Sequence, residues 1–185
     1  MKTVLLTVLP CLAVELAGGV GFIYSGLYDV AAVNPDNPVV AWAIHKASDR
    51  SVAARLGGIK VPPGLDAPQV AAAGGKLFGE QCVVCHGGPG LPPTAISQGL
   101  NPAPPNLFRA GRRVHMEEAF WFIRNGVKMT AMPSFRDTRS DEEIWSMTAF
   151  VRAAPGMSAK DFSATTGIGS TGIATPAAGT RPTGG

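Results

Sequence analysis

Two cysteines and a histidine lie within five consecutive residues near the middle of the chain. Cys82 and Cys85 are separated by two residues, and His86 follows directly. At the end of a helix this spacing places the two thiols about a turn apart, within reach of the two vinyl groups of one porphyrin. The histidine can then turn its imidazole under the porphyrin iron. The C-x-x-C-H pattern therefore predicts covalent attachment of c-type haem.

Three other interpretations compete for the same residues. A thioredoxin-like dithiol needs a βαβ context, and the sequence contains no convincing strand. A zinc site needs a second close pair of ligands, whereas the remaining candidates, Cys11, His45 and His115, are far apart in the chain. A chance match is the third interpretation, and supporting residues downstream argue against it. Haem attachment is the favoured interpretation.

The opposite face of the iron needs a second ligand, and two methionines compete for that position. Met129 and Met132 are only three residues apart. Pro133 biases Met132 towards an extended backbone, which can present its thioether stiffly, while Met129 has no such restraint. His115 is the alternative and would give a bis-histidine site. A thioether opposite a histidine favours reduced iron and raises the reduction potential.

These residues together resemble the class I c-type cytochromes, specifically bacterial members with an N-terminal membrane anchor. The resemblance covers roughly residues 67–157 and also touches the stretch 25–29. The long insertion at 87–104 and the C-terminal tail depart from the family. Besides C-x-x-C-H and Met-Pro, the resemblance is carried by Gly74, Phe78 and Cys82 at four-residue spacing, by Pro105-Asn106-Leu107, and by Trp145, Phe150 and Val151.

The resemblance implies an all-α class I cytochrome c fold, in which the first and last helices cross around one covalently bound haem. It implies that the Pro105 carbonyl holds the proximal histidine, and that an aromatic residue of the last helix lies against Gly74. The iron ligands would be His86 and Met132. The residues expected to contact the haem are then Cys82, Cys85, His86, Pro105 and Met132.

Further side chains are expected around the haem. Three arginines follow Pro105-Asn106-Leu107, which we call the proline loop: Arg109, Arg112 and Arg113. They would either form a basic rim around the haem edge that steers an acidic redox partner, or simply be solvated. Four apolar residues are expected to wall the pocket, and they would serve equally as ordinary core: Phe120, Trp121, Ile123 and Phe135.

The elements that position these residues are all predicted to be helices. Helices are expected at residues 39–56, 67–84, 117–124 and 140–153. Asp66 is the expected cap of the second, and Ser140 to Glu143 form a capping box at the start of the last. A loop rich in proline and glycine occupies residues 87–106.

The N-terminus contains a long apolar segment. Residues 3–28 span about 39 Å as a helix, enough for a tilted membrane span, and Lys2 orients the remainder outwards. Glu15 inside the span should face protein or water. A stripe of small residues suits close helix contact, and this stripe comprises Ala13, Ala17, Gly21 and Ser25.

A cleaved signal peptide is the competing interpretation of the N-terminus. A cut after Ala17 would place Glu15 where a small residue is wanted, whereas cuts after Gly21 or Ala32 are compatible with the sequence. Both interpretations export the domain. The expected location is therefore the periplasmic face of the inner membrane, with a single-pass anchor.

Composition gives the domain organisation. The chain has 185 residues, a net charge of only +3 and about a fifth of its residues as Gly or Pro, which argues against nucleic-acid binding and predicts extensive loops. The expected units are an anchor or signal segment at 1–32, an amphipathic helix and linker at 33–66, the cytochrome domain at 67–160 and a disordered tail at 161–185.

The predicted function is that of a single-haem electron carrier, and not of an enzyme. It would pass electrons between membrane-associated redox partners, or serve as the cytochrome subunit of a larger membrane oxidoreductase; the small-residue stripe, Glu15 and the helix at 39–56 favour the second. A haem enzyme or gas sensor would need an open sixth position, which Met132 argues against.

Overall fold

The computed structural model describes residues 2–169. Within them the chain forms eight α-helices, one 3-10 turn and no strand. The chain divides into two compact units, one ending at Pro35 and one beginning at Asp36. The helices are α1 (Lys2–Ser25), α2 (Pro38–Ala53), α3 (Pro68–Gln81), α4 (Val83–His86), α5 (Ala95–Gln98), α6 (Met116–Asn125), α7 (Asp141–Ala153) and α8 (Ala159–Thr166), with the 3-10 turn at Leu56–Gly58.

The first unit consists of α1 and the turns that follow it. Residues 7–25 of this helix are long and apolar enough to cross a membrane, and the described side chains of the unit are exposed. Within this unit there is no protein core in which these apolar side chains are buried. The sequence prediction of a single apolar helix is confirmed.

The core of the second unit is the crossing of α3 and α7. Gly74 makes the crossing possible, because a Cβ there would collide with the backbone of Ser146 and Met147. Phe150 lies against the neighbouring Gly75, where a Cβ would be 3.0 Å from its ring. The ring of Phe150 also packs 5.0 Å from that of Phe78, measured between centroids.

One expected helix cap is confirmed and another is not. The capping box of α7 is confirmed, since the Ser140 and Glu143 side chains each accept from the other's backbone N–H. Asp66 is not the cap of α3. That helix begins after Ala67 without a side-chain cap, and the Asp66 carboxylate instead lies 3.6 Å from Arg152.

Two predicted helices are interrupted in the structure. The helix expected at 67–84 ends at Gln81, and α4 starts after Cys82, whose φ of −107° breaks the regular geometry. The helix expected at 39–56 begins at Pro38, where the Asn37 side chain caps it, and ends at Ala53. The 3-10 turn Leu56–Gly58, which contains both glycines, follows it.

The first residues of the tail that is predicted to be disordered, 161–166, are helical in the structure. Residues 159–166 form α8, whose N-cap Ser158 accepts from the backbone N–H of Asp161. Phe162 is 1% exposed, because its ring packs edge-on against the rings of Phe78 and Phe108. The domain therefore extends beyond residue 160. The remainder of the predicted tail, residues 170–185, lies outside the described residues.

Candidate haem-binding site

One cavity gathers the chemistry-bearing residues. It has a volume of about 320 Å³, within the ~300–1,000 Å³ range of small-molecule sites. Five segments contribute to its lining: the C-x-x-C-H segment, the proline loop, α6, α7 and residues 127–135, which we call the methionine loop. The lining includes Cys82, Cys85, His86, Pro105 and Met132.

His86 is held by the proline loop. Its Nδ1 lies 3.2 Å from the carbonyl oxygen of Pro105, which accepts the Nδ1–H. In this tautomer Nε2 carries no proton and is available to a metal. Burial lowers the pKa of His86, the bond to Pro105 opposes this, and the nearby charge of Arg112 lowers it further. The imidazole is thus neutral at pH 7.

The two cysteines line the same cavity, Cys82 as the N-cap of the short helix α4 and Cys85 within it. The backbone N–H groups of Cys85 and His86 both donate to the Cys82 carbonyl, at 3.1 and 2.9 Å. Burial raises the pKa of Cys82 to about 12, with Cys85 adding a smaller electrostatic contribution. Redox-active dithiols carry a thiol with a lowered pKa, so the raised pKa of Cys82 does not favour a thioredoxin-like role.

The loop after the motif is fastened on both sides. Thr94 caps α5 and donates its hydroxyl to the carbonyl of Val84 at 2.6 Å. Gly88 packs against the ring of Phe162, and any Cβ at this position would collide with that ring. The predicted insertion at 87–104 is therefore an ordered part of the site, tied to the haem motif by Thr94 and to α8 by Gly88.

Met132 and Met129 are placed very differently. Met132 is half-buried and lines the cavity, whereas Met129 is 97% exposed and has a left-handed backbone with a φ of 59°. Thr130 accepts from the Met132 backbone N–H at 3.1 Å. The Met132 carbonyl accepts in turn from Val127 at 3.1 Å. These bonds hold Met132 in the loop that faces the cavity.

Gly126 lets the methionine loop lie close to the end of α6. It has a φ of 66°, and a Cβ there would be 2.6–2.8 Å from backbone atoms of Met132, Pro133 and Ser134. Beyond the loop, Ser134 donates its hydroxyl to the Arg124 carbonyl at 2.9 Å. The sequence indicates Gly126 only as the end of the helix, and it gives Thr130 no role. An Asn-Gly pair directly after the helix was the available signal.

Two of the expected wall residues lie elsewhere. Phe120 stacks on Trp145, with centroids 4.0 Å apart and planes 14° apart, and Trp121 lies with them on the side of the 3-10 turn. Ile123 and Phe135 do line the cavity. The cavity is lined by the N-cap His115 and, from α6 itself, by Glu118, Ala119, Phe122 and Ile123, which lie on one side of the helix.

The three arginines after the proline loop are not equivalent. Arg112 and Arg113 line the cavity, and Arg109 is exposed and does not. The Nε atom of Arg112 is buried without a hydrogen-bond partner. Buried polar groups are normally paired, so we expect a bound group in the cavity to supply a hydrogen-bond acceptor for this Nε–H. His115 also lines the cavity, while His45 is exposed.

The residues present fit a haem. Mostly apolar walls suit the porphyrin, two thiols lie beside a neutral imidazole, and a thioether faces the same space. A haem propionate would supply the acceptor that the Arg112 Nε lacks. The described residues contain no group of three or more His, Cys, Asp or Glu that would suit a bare metal ion instead.

This helical fold and this cavity define a c-type cytochrome domain of the class I kind. Residues 69–151 match the family model described as cytochrome c oxidase, cbb3-type, subunit III. The matched segment contains the C-x-x-C-H motif, the proline loop and both methionines. No curated protein and no solved structure matches the chain. This part of the chain is thus a cytochrome c domain, which implies that it binds haem.

Proposed function

We propose that the chain is a single-haem electron carrier. When bound, a c-type haem supplies a one-electron couple between ferric and ferrous iron. Cys82 and Cys85 would form the two thioether bonds, and His86 and Met132 would occupy the two axial positions. The observation that carries the proposal is that all four side chains line one cavity together with Pro105.

Each ligand is held before the cofactor arrives, which suits electron transfer. The Pro105 carbonyl orients His86, and the Thr130 hydroxyl restrains the backbone of Met132. With both axial positions taken by side chains of this chain, a substrate would have no coordination site. Rigid ligands also require little rearrangement when the charge on the iron changes.

A redox titration of the purified protein tests this proposal. The haem absorbance should follow a single one-electron step, and the reduced protein should not bind carbon monoxide at neutral pH. Two steps would mean more than one redox centre. Rapid carbon monoxide binding would reveal an open or weakly held sixth position, and would favour a haem enzyme or gas sensor.

We also propose that α1 remains as a membrane anchor and places the haem domain in the periplasm. Its residues 7–25 are apolar and have no core to enter within their unit. Lys2 precedes this span, which favours a cytoplasmic N-terminus by the positive-inside rule. An anchored carrier of this kind would exchange electrons with partners at the membrane, with Arg112 and Arg113 at the edge of the cavity that faces them.

A second candidate is a stable subunit of a membrane oxidoreductase. The family model at residues 69–151 is named for a subunit of an oxidase. The stripe of small residues on α1 would allow close contact with another membrane helix. Purification in mild detergent separates the two candidates: a stoichiometric partner supports the subunit, and a lone cytochrome supports the mobile carrier.

A further inference from the structure

The first two turns of α2 present large apolar side chains to solvent. Val39, Trp42 and Ile44 are 70%, 63% and 63% exposed, unusual values for residues of this size. At about 100° per residue, Val39 and Trp42 share one side of the helix and Ile44 lies on another, so this end of α2 is apolar on more than one side. Exposed apolar surface of this kind marks an interaction surface. We call residues 38–44 the apolar end of α2.

The remainder of α2 explains why this end is held in place. Its least exposed residues, Ala41, Ser48 and Val52, recur at spacings of seven and four, which is one helical face. That face is turned towards α6 and the 3-10 turn. Val52 is 3% exposed and fixes the helix to the haem domain. The apolar end is thus a fixed projection of the domain.

The short segment between α1 and α2 favours a lipid surface as the partner of the apolar end. Twelve residues join the end of α1 at Ser25 to the start of α2 at Pro38, so α2 lies within about 40 Å of the end of the span. If α1 is anchored as proposed above, a lipid surface is always within reach. Tryptophan is enriched at the boundary between lipid and water, where Trp42 would be placed.

The charges that follow the apolar end match an anionic lipid surface. Residues 45–60 contain the basic residues Lys46, Arg50, Arg55 and Lys60 but one acidic residue, Asp49. Apolar side chains beside basic ones are the pattern of segments that lie in the headgroup region. We infer that the apolar end of α2 inserts into the headgroup region of the bilayer and holds the haem domain against the membrane.

Fluorescence quenching by lipids tests this inference on the full-length haem protein. In a Cys11→Ser background, a single cysteine carrying an environment-sensitive dye is placed at Val39, Ile44, Asp49 or Val14. Each protein is reconstituted in phosphatidylcholine–phosphatidylglycerol vesicles with and without brominated acyl chains. The ratio of the two emissions removes the quenching by the haem.

The control positions make every outcome decisive. Asp49 is on the same helix and has a side chain 65% exposed, and Val14 lies in the proposed span and is 72% exposed. We expect loss of emission at 14, 39 and 44, and none at 49. Loss at 14 alone overturns the inference, leaves the anchor intact and points to a protein partner for α2. No loss at any position overturns both.

Discussion

At the scale of single residues, Met132 and Met129 show how three positions in a loop separate two chemically identical side chains. Met132 lines the cavity and its backbone is held by Thr130, whereas Met129 is 97% exposed. A thioether whose position is fixed in advance loses less entropy on binding iron than a mobile one.

Replacing each methionine with alanine tests the assignment of the sixth ligand. Met132→Ala should abolish the weak long-wavelength band of sulfur-ligated ferric haem and lower the reduction potential, because the thioether favours reduced iron. Met129→Ala should preserve both. The reverse result would assign the ligand to Met129, and absence of the band in the unmodified protein would favour His115.

Arg112 is predicted to hold a haem propionate through its buried Nε. Arg112→Ala should lower the reduction potential, because the cation disfavours the additional positive charge of ferric iron. It should also destabilise the folded holoprotein by about 1.5–3 kcal/mol, typical of a hydrogen bond to a charged group. Potentiometry and urea unfolding measure the two effects.

Arg109 supplies the matched control, because it is exposed and lies outside the cavity lining. Arg109→Ala should leave both quantities unchanged. Equal effects of the two substitutions would show that general surface charge, and not a specific contact, sets the potential.

At the scale of elements, the crossing of α3 and α7 depends on Gly74. Gly74→Ala should destabilise the domain by about 1–3 kcal/mol or more, because the methyl group would collide with the backbone of Ser146 and Met147. Gly57→Ala is the control, since a Cβ at Gly57 has no atom within 4 Å. Similar melting temperatures for the two variants would contradict the close crossing.

The elements also show what the sequence could establish. Ser140 and Glu143 act through neighbours in the chain, so their capping box could be predicted from spacing alone. Phe162 was missed because the composition of residues 161–185, averaged over the whole segment, conceals one helix with one buried aromatic. Phe122 was missed although Phe120 was chosen, because residue type does not show which face of α6 is turned to the cavity.

Arg112 and Arg109 mark the limit of sequence reasoning about the site. Both are arginines in the same short loop, and nothing local distinguishes them. The difference arises from the path of the loop after Leu107, which is buried in the core and leaves Arg112 at the cavity and Arg109 outside it. Such a distinction requires the packed structure.

At the scale of the whole molecule, retention of α1 as the proposed anchor would determine where electrons are exchanged. If α1 is retained, mass spectrometry of the mature protein should show a start at or near Met1, and the protein should stay with membranes in high salt. A start at Phe22 or Val33 would mean that the segment is cleaved. The carrier would then be a soluble shuttle.

The central claim is that Cys82 and Cys85 bind a haem covalently, and denaturing electrophoresis under reducing conditions tests it most directly. The unmodified protein should retain haem staining at the position of the polypeptide, because thioether bonds survive both unfolding and reduction. Cys11→Ala should retain the stain equally, since Cys11 belongs to α1 and is not part of the C-x-x-C-H motif. Loss of the stain from the unmodified protein, with free haem at the dye front, would contradict the account.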